Sequence, residues 1–233
     1  MGEIKQGVSY GLGRLDEICK EMQEWEEVPL SADDTVFEKE HQKNINETAK
    51  FERLKESGIG SKYWNCSFDS FKIDIPQKKN ILDKIKDFVI NYLKRTLWLV
   101  GNPGTGKTML AAIICRECWG SHYVKSYQIE LELDDCKSFK AKESNSDLIK
   151  RYAEYPLLVI DEIGKFESKD EVKFLFMILN ERYEKNKSTV LISNKSKMEL
   201  IEYLGQPIYD RFTENCTCLE FNFESYRINM RDK

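Results

Sequence analysis

The chain has 233 residues, of which 41% are hydrophobic and 33% are charged, and its formal net charge is −4 at pH 7. This length suits one medium-sized domain, or one domain with a small appendage. The negative charge excludes a global positive field that would attract nucleic acid, so any such contact must come from a local patch. The N-terminus lacks the apolar core of a signal peptide, and no apolar run approaches the roughly 18 residues of a membrane span. We therefore expect a cytoplasmic protein without a membrane partner.

The seven cysteines do not have the spacing of a disulfide framework or a zinc site. Their odd number and scattered positions are typical of reduced thiols in a cytosolic protein. Cys115 and Cys118 form a C-x-x-C pair, but no second pair stands at zinc-ligand spacing. The two histidines, His41 and His122, have no evident ligand partner in the sequence. We expect structural thiols, and histidines at the surface or at the ends of elements; a metal or redox site is the less favoured alternative.

Residues 1–60 differ from the rest of the chain and are predicted to form a small helical N-terminal segment. One apolar stripe recurs at three- and four-residue steps, which indicates an amphipathic helix: Leu12, Leu15, Ile18, Cys19, Met22 and Trp25. A second, more polar helix is predicted from about Asp33 to Glu56, followed by a linker at residues 57–60. The stripe could pack on the rest of the chain, or it could dock a partner protein by helix-in-groove binding. The sequence leaves both open, and residues 61–233 form the second expected domain.

An aromatic-rich segment at residues 63–71 and a predicted helix from about Gln77 to Leu93 follow the linker. The expected buried face of this helix contains Ile81, Leu82, Ile85, Val89, Tyr92 and Leu93. These elements lead into a short apolar run, Leu97–Val100, which is predicted to be a buried strand.

A complete phosphate-loop motif, G-x-x-x-x-G-K-T, runs from Gly101 to Thr108, and an apolar, helix-compatible stretch follows it. The glycines let backbone N–H groups point inward at phosphate oxygens, and the helix N-terminus favours the same anion. Lys107 can reach the β- and γ-phosphates, and the Thr108 hydroxyl can ligate Mg²⁺. We therefore expect a nucleoside triphosphate to bind at one consecutive run of residues: Gly101, Asn102, Pro103, Gly104, Thr105, Gly106, Lys107, Thr108 and Met109.

The second chemical motif is an apolar run, Leu157–Ile160, that ends in Asp161 and Glu162. Such a run is typical of a buried parallel strand whose functional end is its carboxyl end. Asp161 would hold Mg²⁺ through water, and Glu162 would orient and deprotonate the attacking water. A solvated Asp-Glu turn is the alternative, and the phosphate loop upstream makes it the weaker one. Two carboxylates also favour hydrolysis over phosphate transfer to an acceptor.

The other elements after the phosphate loop alternate between strands and helices, which predicts a central parallel sheet of about five strands. They are a strand at Tyr123–Tyr127, helices at about Gln128–Phe139, Asp147–Ala153 and Lys169–Asn186, a strand at Thr189–Ser193, a helix near Met198–Tyr203 and a strand at Thr217–Phe223. The helix that begins at Lys169 is expected to bury Val172, Leu175, Phe176, Leu179 and Tyr183. Asn194 follows a strand and could position the water or sense the γ-phosphate, or it could cap the loop before Lys197.

Five segments in this order resemble the bacterial helicase loader family, the DnaC type, within the AAA+ ATPases. They are Gly101–Thr108, Leu157–Gly164, Ile192–Asn194, Tyr209–Phe212 and Phe223–Arg227. The resemblance covers about residue 60 to the end. The first segment is specific only to P-loop proteins in general, and the spacing of the whole set is what points to the loaders.

The resemblance implies an AAA+ P-loop core with a parallel five-stranded sheet flanked by helices and no C-terminal helical lid. Carried over, Asn194 matches sensor 1, and Arg211 matches the arginine finger that completes the site of a neighbouring subunit. Arg227 matches a C-terminal arginine whose sensor role stays open. Without the resemblance, Arg211 would be read as a surface arginine paired with Asp210 or Glu214. The implied catalytic set is Lys107, Glu162, Asn194 and Arg211.

The function implied is ATP-dependent loading of the replicative DNA helicase onto single-stranded DNA during replication initiation. Residues 1–60 would contact the helicase, and subunits would assemble through ATP-bridged interfaces. Lys165 and Phe166 are the candidates for contact with DNA, because a chain with negative net charge needs local cations and aromatics. A transposition helper ATPase of the IstB type is the alternative enzyme. A nucleotide-switched adaptor with little hydrolysis is the alternative from another class.

Overall fold

The structure is a computed structural model that describes residues 32–137, 142–213 and 215–226, without the side chains of residues 32–40 and 212–213. The chain divides into two compact units between residues 47 and 48, a division that lies within the first described helix. The predicted apolar stripe from Leu12 to Trp25 lies outside the described residues, as does Arg227.

The described elements alternate between helices and strands after an initial long helix. The helices are α1 (Ala32–Glu56), α2 (Pro76–Ile90), α3 (Lys107–Glu117), α4 (Ser126–Asp135), α5 (Asn145–Glu154), α6 (Lys169–Glu184), α7 (Lys197–Leu204) and α8 (Gln206–Thr213). The strands are β1 (Thr96–Gly101), β2 (Ser121–Lys125), β3 (Leu157–Ile163), β4 (Ser188–Ser193) and β5 (Cys216–Phe221). Short 3₁₀ turns at Ser61–Tyr63 and Phe68–Ser70 precede α2.

The five strands form one parallel sheet in the order β2-β3-β4-β1-β5. The strand that leads into the phosphate loop therefore lies between β4 and β5, and Leu97 is in register with Val190 on one side and Thr217 on the other. The prediction of a parallel five-stranded sheet is confirmed. Because all strands run in the same direction, their carboxyl ends meet at one edge, where ligands of open α/β sheets bind.

Helices cover both faces of this sheet, so its strands are apolar on both sides. Along β1, Leu97 and Leu99 pack in a cluster with residues of α2 and α3. Trp98 and Val100 point the other way, into a cluster with residues of α5 and α6. All of β1 is buried, as the continuous apolar run predicts.

Helix α6 buries Leu175 and Leu179 as expected, but the rest of its buried face differs from the expected one. Phe176 and Tyr183, which were expected to point inward, are 39% and 41% exposed. The other buried side chains are Glu171, Phe174, Ile178 and Arg182. Arg182 is fully buried, and its guanidinium donates hydrogen bonds to the carbonyl oxygens of Tyr152 and Ala153 in the last turn of α5, of Tyr155 just after it, and of Ser188, the first residue of β4. These polar contacts lie on the buried face of α6, which apolar periodicity alone does not indicate.

Other element ends also differ from expectation. Helix α2 ends at Ile90, so Leu93 lies beyond it and is 69% exposed. The predicted strand at Tyr123–Tyr127 begins earlier, after a turn at Gly120 with a φ of +66°, and it ends at Lys125. Within the described part of the chain, no helix follows β5.

The described cysteines are free thiols. Cys115 lies in α3 and Cys118 caps its C-terminus, and burial raises the pKa of Cys115 to about 12. None of the helices among the residues described is long and apolar enough to cross a membrane. His122 is the second residue of β2, which agrees with the expected position at the end of an element, and its ring stacks on Tyr155 with centroids 4.1 Å apart. Burial lowers the pKa of His122 to about 4, and the charge of Arg151 adds to this effect.

Candidate functional site

The phosphate-loop residues form a tight turn between β1 and α3 that only glycine backbone allows. Gly101, Gly104 and Gly106 have φ angles of +111°, +75° and +99°, in the region that L side chains rarely adopt. A Cβ at Gly101 would also lie 2.9 Å from the Phe221 carbonyl oxygen, a backbone atom that cannot move aside. The glycines expected from the motif are therefore required by local geometry.

Lys107 is the first residue of α3 and is only 5% exposed. Its ammonium group donates hydrogen bonds to the carbonyl oxygens of Gly101, at 2.7 Å, and Asn102, at 2.6 Å. The Thr105 hydroxyl also donates to the Asn102 carbonyl, at 2.8 Å. A cation is thus held inside the loop, at the positive N-terminal end of a helix, where an anion is favoured.

The segment after β5 supports the same loop, a contact that sequence reasoning missed. The backbone N–H of Asn102 donates to the Phe221 carbonyl at 2.9 Å, and its side-chain amide donates to the Phe223 carbonyl at 3.3 Å. The Tyr226 N–H donates to the Gly104 carbonyl at 3.0 Å. No spacing rule links residues this far apart, so only the strand order, with β5 beside β1, reveals the contact.

A β-bulge in β3 brings Asp161 and Glu162 to the same side of the sheet edge. Ile160 pairs with Leu191 and Ile163 pairs with Ser193, so two residues of β3 stand opposite a single residue of β4. Adjacent residues of a regular strand would point to opposite faces. Glu162 has a φ of +61°, which is uncommon for a residue other than glycine. The bulge therefore directs both carboxylates into one cleft.

Asp161 is 4% exposed, and three donors hold its carboxylate. Oδ2 accepts hydrogen bonds from the Thr108 hydroxyl at 2.8 Å and from the Tyr123 hydroxyl at 2.9 Å. Oδ1 accepts from the backbone N–H of Glu162 at 2.6 Å. Burial, together with the neighbouring charge of Asp161, raises the pKa of Tyr123, so this hydroxyl keeps its proton at neutral pH. Tyr123 was not among the expected site residues, because it looks like any aromatic in a strand.

Glu162 lies at the rim, between two lysines. Its carboxylate is 3.0 Å from the Lys165 ammonium and 3.6 Å from that of Lys125. Burial disfavours the charged form of Lys125, but Glu162 and Tyr127 together outweigh it, so the pKa of Lys125 is raised. The arrangement leaves a carboxylate, partly exposed, facing the space above the loop.

These groups enclose a cleft of about 520 Å³, a size typical of sites for nucleotide-sized ligands. Its lining brings together the predicted loop residues from Pro103 to Met109, Asp161, Glu162 and Asn194. The side chains that sequence reasoning did not place there are Lys62, Tyr63, Ser70, Phe71, Lys72, Lys78, Lys165, Phe223, Glu224 and Tyr226. The aromatic-rich entry segment, for which no role was expected, thus forms one wall.

Arg211 does not belong to this cleft. It lies on α8, with its guanidinium 5.5 Å from the ring centroid of Phe176 on α6 and its Nη1 3.5 Å from the Pro207 carbonyl oxygen. The predicted site residues that do not line the cleft are therefore Gly101, Asn102 and Arg211, while Arg227 is outside the described residues.

The chain matches a family model described as "IstB-like ATP binding protein" over residues 37–233. It is also 31% identical to the replicative helicase loader DnaC of Escherichia coli strain K12 over 198 residues, which cover 81% of this chain and 80% of that protein. The chain belongs to the IstB-like and DnaC-type family of ATP-binding proteins. Like its family, it is therefore an ATP-binding P-loop protein.

Two further relatives agree with this membership. The replicative helicase loader DnaC of Buchnera aphidicola subsp. Baizongia pistaciae is 31% identical over 196 residues, which cover 78% of each chain. A crystal structure of the DnaC helicase loader superposes with a TM-score of 0.61 and 23% identity, covering 70% of this chain and all of that one. At this identity the structural likeness establishes the fold, which agrees with the expected AAA+ P-loop core.

Proposed function

We propose that this protein is an ATP-dependent loader that binds the replicative DNA helicase and places it on single-stranded DNA. The observation that carries the proposal is the 31% identity to DnaC loaders across four-fifths of the chain. The two proposed domains have different roles. Residues 61–233 bind and hydrolyse ATP, and residues 1–60 dock the helicase.

ATP is proposed to bind with its phosphates in the loop at residues 101–109. Lys107 supplies a cation for the β- and γ-phosphates. Its ammonium group would exchange its hydrogen bonds to the carbonyl oxygens of Gly101 and Asn102 for hydrogen bonds to phosphate oxygens. The Thr108 hydroxyl and the Asp161 carboxylate, 2.8 Å apart, form a pair of oxygen donors of the kind that Mg²⁺ prefers. They fit this ion, which when bound would neutralise charge on the phosphate oxygens.

Hydrolysis is proposed to use Glu162 as the general base. Its carboxylate can accept the proton of a water positioned above the loop, and Lys125 and Lys165 hold it at the rim of the cleft. Asn194 stands at the carboxyl end of β4 and lines the same cleft, so its amide can orient the water. In this proposal Glu162 and Asn194 act on the attacking water and the terminal phosphate.

Arg211 is proposed to act on ATP held by a neighbouring subunit. It does not reach the cleft of its own subunit, and a cation that stabilises the charge developing on the γ-phosphate is a frequent part of such sites. Subunits would accordingly assemble through interfaces that ATP bridges. Such head-to-tail interfaces place the pocket of one subunit against the α8 face of the next.

Contact with single-stranded DNA is proposed at the loop after β3. Phe166 is 64% exposed and meets the ring of Tyr127 edge-on, with centroids 5.8 Å apart. The Lys165 ammonium lies 5.4 Å from the Phe166 ring centroid. An exposed aromatic beside cations is suited to stacking a base next to its phosphate.

Assays with two purified candidate partners test the proposal against its alternatives. The replicative helicase and an IstB-dependent transposase are each tested for ATP-dependent binding to the full chain, and for helicase loading on a single-stranded circle. We expect the helicase alone to bind and to be loaded. The family description favours the transposition helper as the second candidate, and ATP-dependent binding of the transposase alone would establish it. Helicase binding with unchanged loading by the Glu162→Gln variant would instead indicate a nucleotide-switched adaptor.

A further inference from the structure

The Tyr123 side chain is aimed at the carboxylate that the proposed function assigns to Mg²⁺. Tyr123 is 6% exposed and pairs with Val159 in the β2–β3 ladder, so its side chain shares a face with Asp161, two residues further along β3. Its backbone N–H is bonded to the Ser57 carbonyl oxygen at 2.6 Å, which fixes the start of the side chain. Its hydroxyl ends 2.9 Å from Asp161 Oδ2.

The donors around Asp161 leave it little freedom. An ionised carboxylate offers about four acceptor positions, and Thr108, Tyr123 and the Glu162 N–H occupy three of them. Thr108 is itself a proposed ligand, and the donor from Glu162 is the backbone N–H of the residue that directly follows Asp161 in β3. Tyr123 is therefore the one side-chain donor of the three that has no other task in the proposed mechanism, and it comes from a different strand.

We propose that Tyr123 is a positioning residue: its hydroxyl fixes the rotamer of Asp161 so that the remaining acceptor position faces Mg²⁺ and the phosphates. The inference rests on the proposed function of Asp161. Hydrogen-bond partners of metal ligands typically change metal affinity by about 10–100-fold when removed, although they never touch the ion.

The test is the Tyr123→Phe variant, which removes one oxygen atom and keeps the ring. A matched control is Tyr152→Phe, because Tyr152 is also buried and also donates to a carboxylate, that of Glu132, at 2.9 Å, but does not line the cleft. Binding of a fluorescent ATP analogue is titrated with Mg²⁺ in the full-length protein. We expect Tyr123→Phe to need about tenfold more Mg²⁺ for half of the effect, with unchanged affinity in EDTA, while Tyr152→Phe stays within about twofold of the parent.

The ratio of affinities with and without Mg²⁺ is measured within one sample, so partial unfolding of a variant cancels. In an Asp161→Asn background, Tyr123→Phe should have no further effect, because the tyrosine acts through that carboxylate. An unchanged Mg²⁺ requirement in Tyr123→Phe would overturn the positioning role alone. A lower requirement would overturn it too, since the hydroxyl would then compete with the ion. A parent protein whose nucleotide affinity ignores Mg²⁺ would overturn the proposed Mg²⁺ site itself.

Discussion

Arg211→Ala is expected to separate ATP binding from ATP hydrolysis. The guanidinium lies on α8 against Phe176 and does not line the cleft of its own subunit. Its removal should therefore leave the ATP affinity of an isolated subunit unchanged. Hydrolysis should fall, because charge that develops on the γ-phosphate in the neighbouring subunit loses its cation.

The expected size of the effect is large. Arginine fingers accelerate phosphoryl transfer by about 10³–10⁵, which corresponds to about 4–7 kcal/mol in the transition state. Loss of the contact with Phe176 cannot account for this, because an exposed cation–π contact contributes only about 0.5–1 kcal/mol. Arg95→Ala is the matched control: Arg95 bonds Asp87 at 2.8 Å and directly precedes β1, at the sheet edge opposite the cleft. This control should keep the parent kcat.

Mixing Arg211→Ala with Lys107→Ala tests the geometry of the interface. The first variant supplies a sound pocket and the second a sound finger. An interface is complete when its pocket comes from Arg211→Ala and its finger arginine comes from Lys107→Ala. In a random equal mixture this holds for about a quarter of the head-to-tail interfaces. Phosphate release at constant total protein should therefore peak at equal amounts of the two variants. Parent-like hydrolysis by Arg211→Ala, or a mixture no more active than its components, would refute action between subunits.

Three further outcomes are expected. Lys107→Ala should lose tight ATP binding, whereas Glu162→Gln should bind ATP and stall hydrolysis because an amide cannot accept the proton. Measurements of equilibrium ATP binding and of phosphate release distinguish the two variants. Equal ATP affinity in Lys107→Ala and the parent would contradict the proposed nucleotide site. Binding of labelled single-stranded DNA should be weak, salt-sensitive and tighter with ATP, and alanine at Lys165 or Phe166 should weaken it; indifference to both salt and nucleotide would count against the DNA contact. The folded-state pKa of His122, about 4, lies below its ordinary value of 6.5, so the unfolded chain takes up the proton first and stability is lost as pH falls through this window. His122→Phe should therefore lose less unfolding free energy in urea between about pH 7 and about pH 5 than the parent, and equal losses would refute this.

The fold could be predicted from sequence where local pattern and burial agree. The apolar runs at Leu97–Val100 and Leu157–Ile160 form the buried strands β1 and β3, because a strand covered on both faces must be apolar throughout. The inward face of α6 could not be predicted in the same way. Periodicity assigns Phe176 to the core and Arg182 to solvent, whereas the carbonyls around α5 and β4 draw the arginine inside. Such polar contacts depend on tertiary neighbours and leave no local signal.

The residues of the candidate site could be predicted from the sequence, but their arrangement in space could not. The spacing of the loop and the carboxylate pair names Lys107, Asp161 and Glu162, and the cleft contains them all. That two adjacent residues of one strand face the same cleft depends on the bulge and on the positive φ of Glu162, which no sequence pattern marks. Tyr123 was missed because its hydroxyl matters only when β2 lies beside β3.

Two backbone hydrogen bonds connect the phosphate loop to the segment that carries α8. The Gly101 N–H donates to the carbonyl of Lys195, the residue after Asn194, at 2.9 Å, and the Asn102 N–H donates to the Phe221 carbonyl at the end of β5. The chain between these two anchors is α7, α8 and β5, and it carries Arg211. Any shift of the loop when ATP binds would therefore break these bonds or carry both anchors along. The segment that carries Arg211 is thus hydrogen-bonded to the phosphate loop at both of its ends, Lys195 and Phe221.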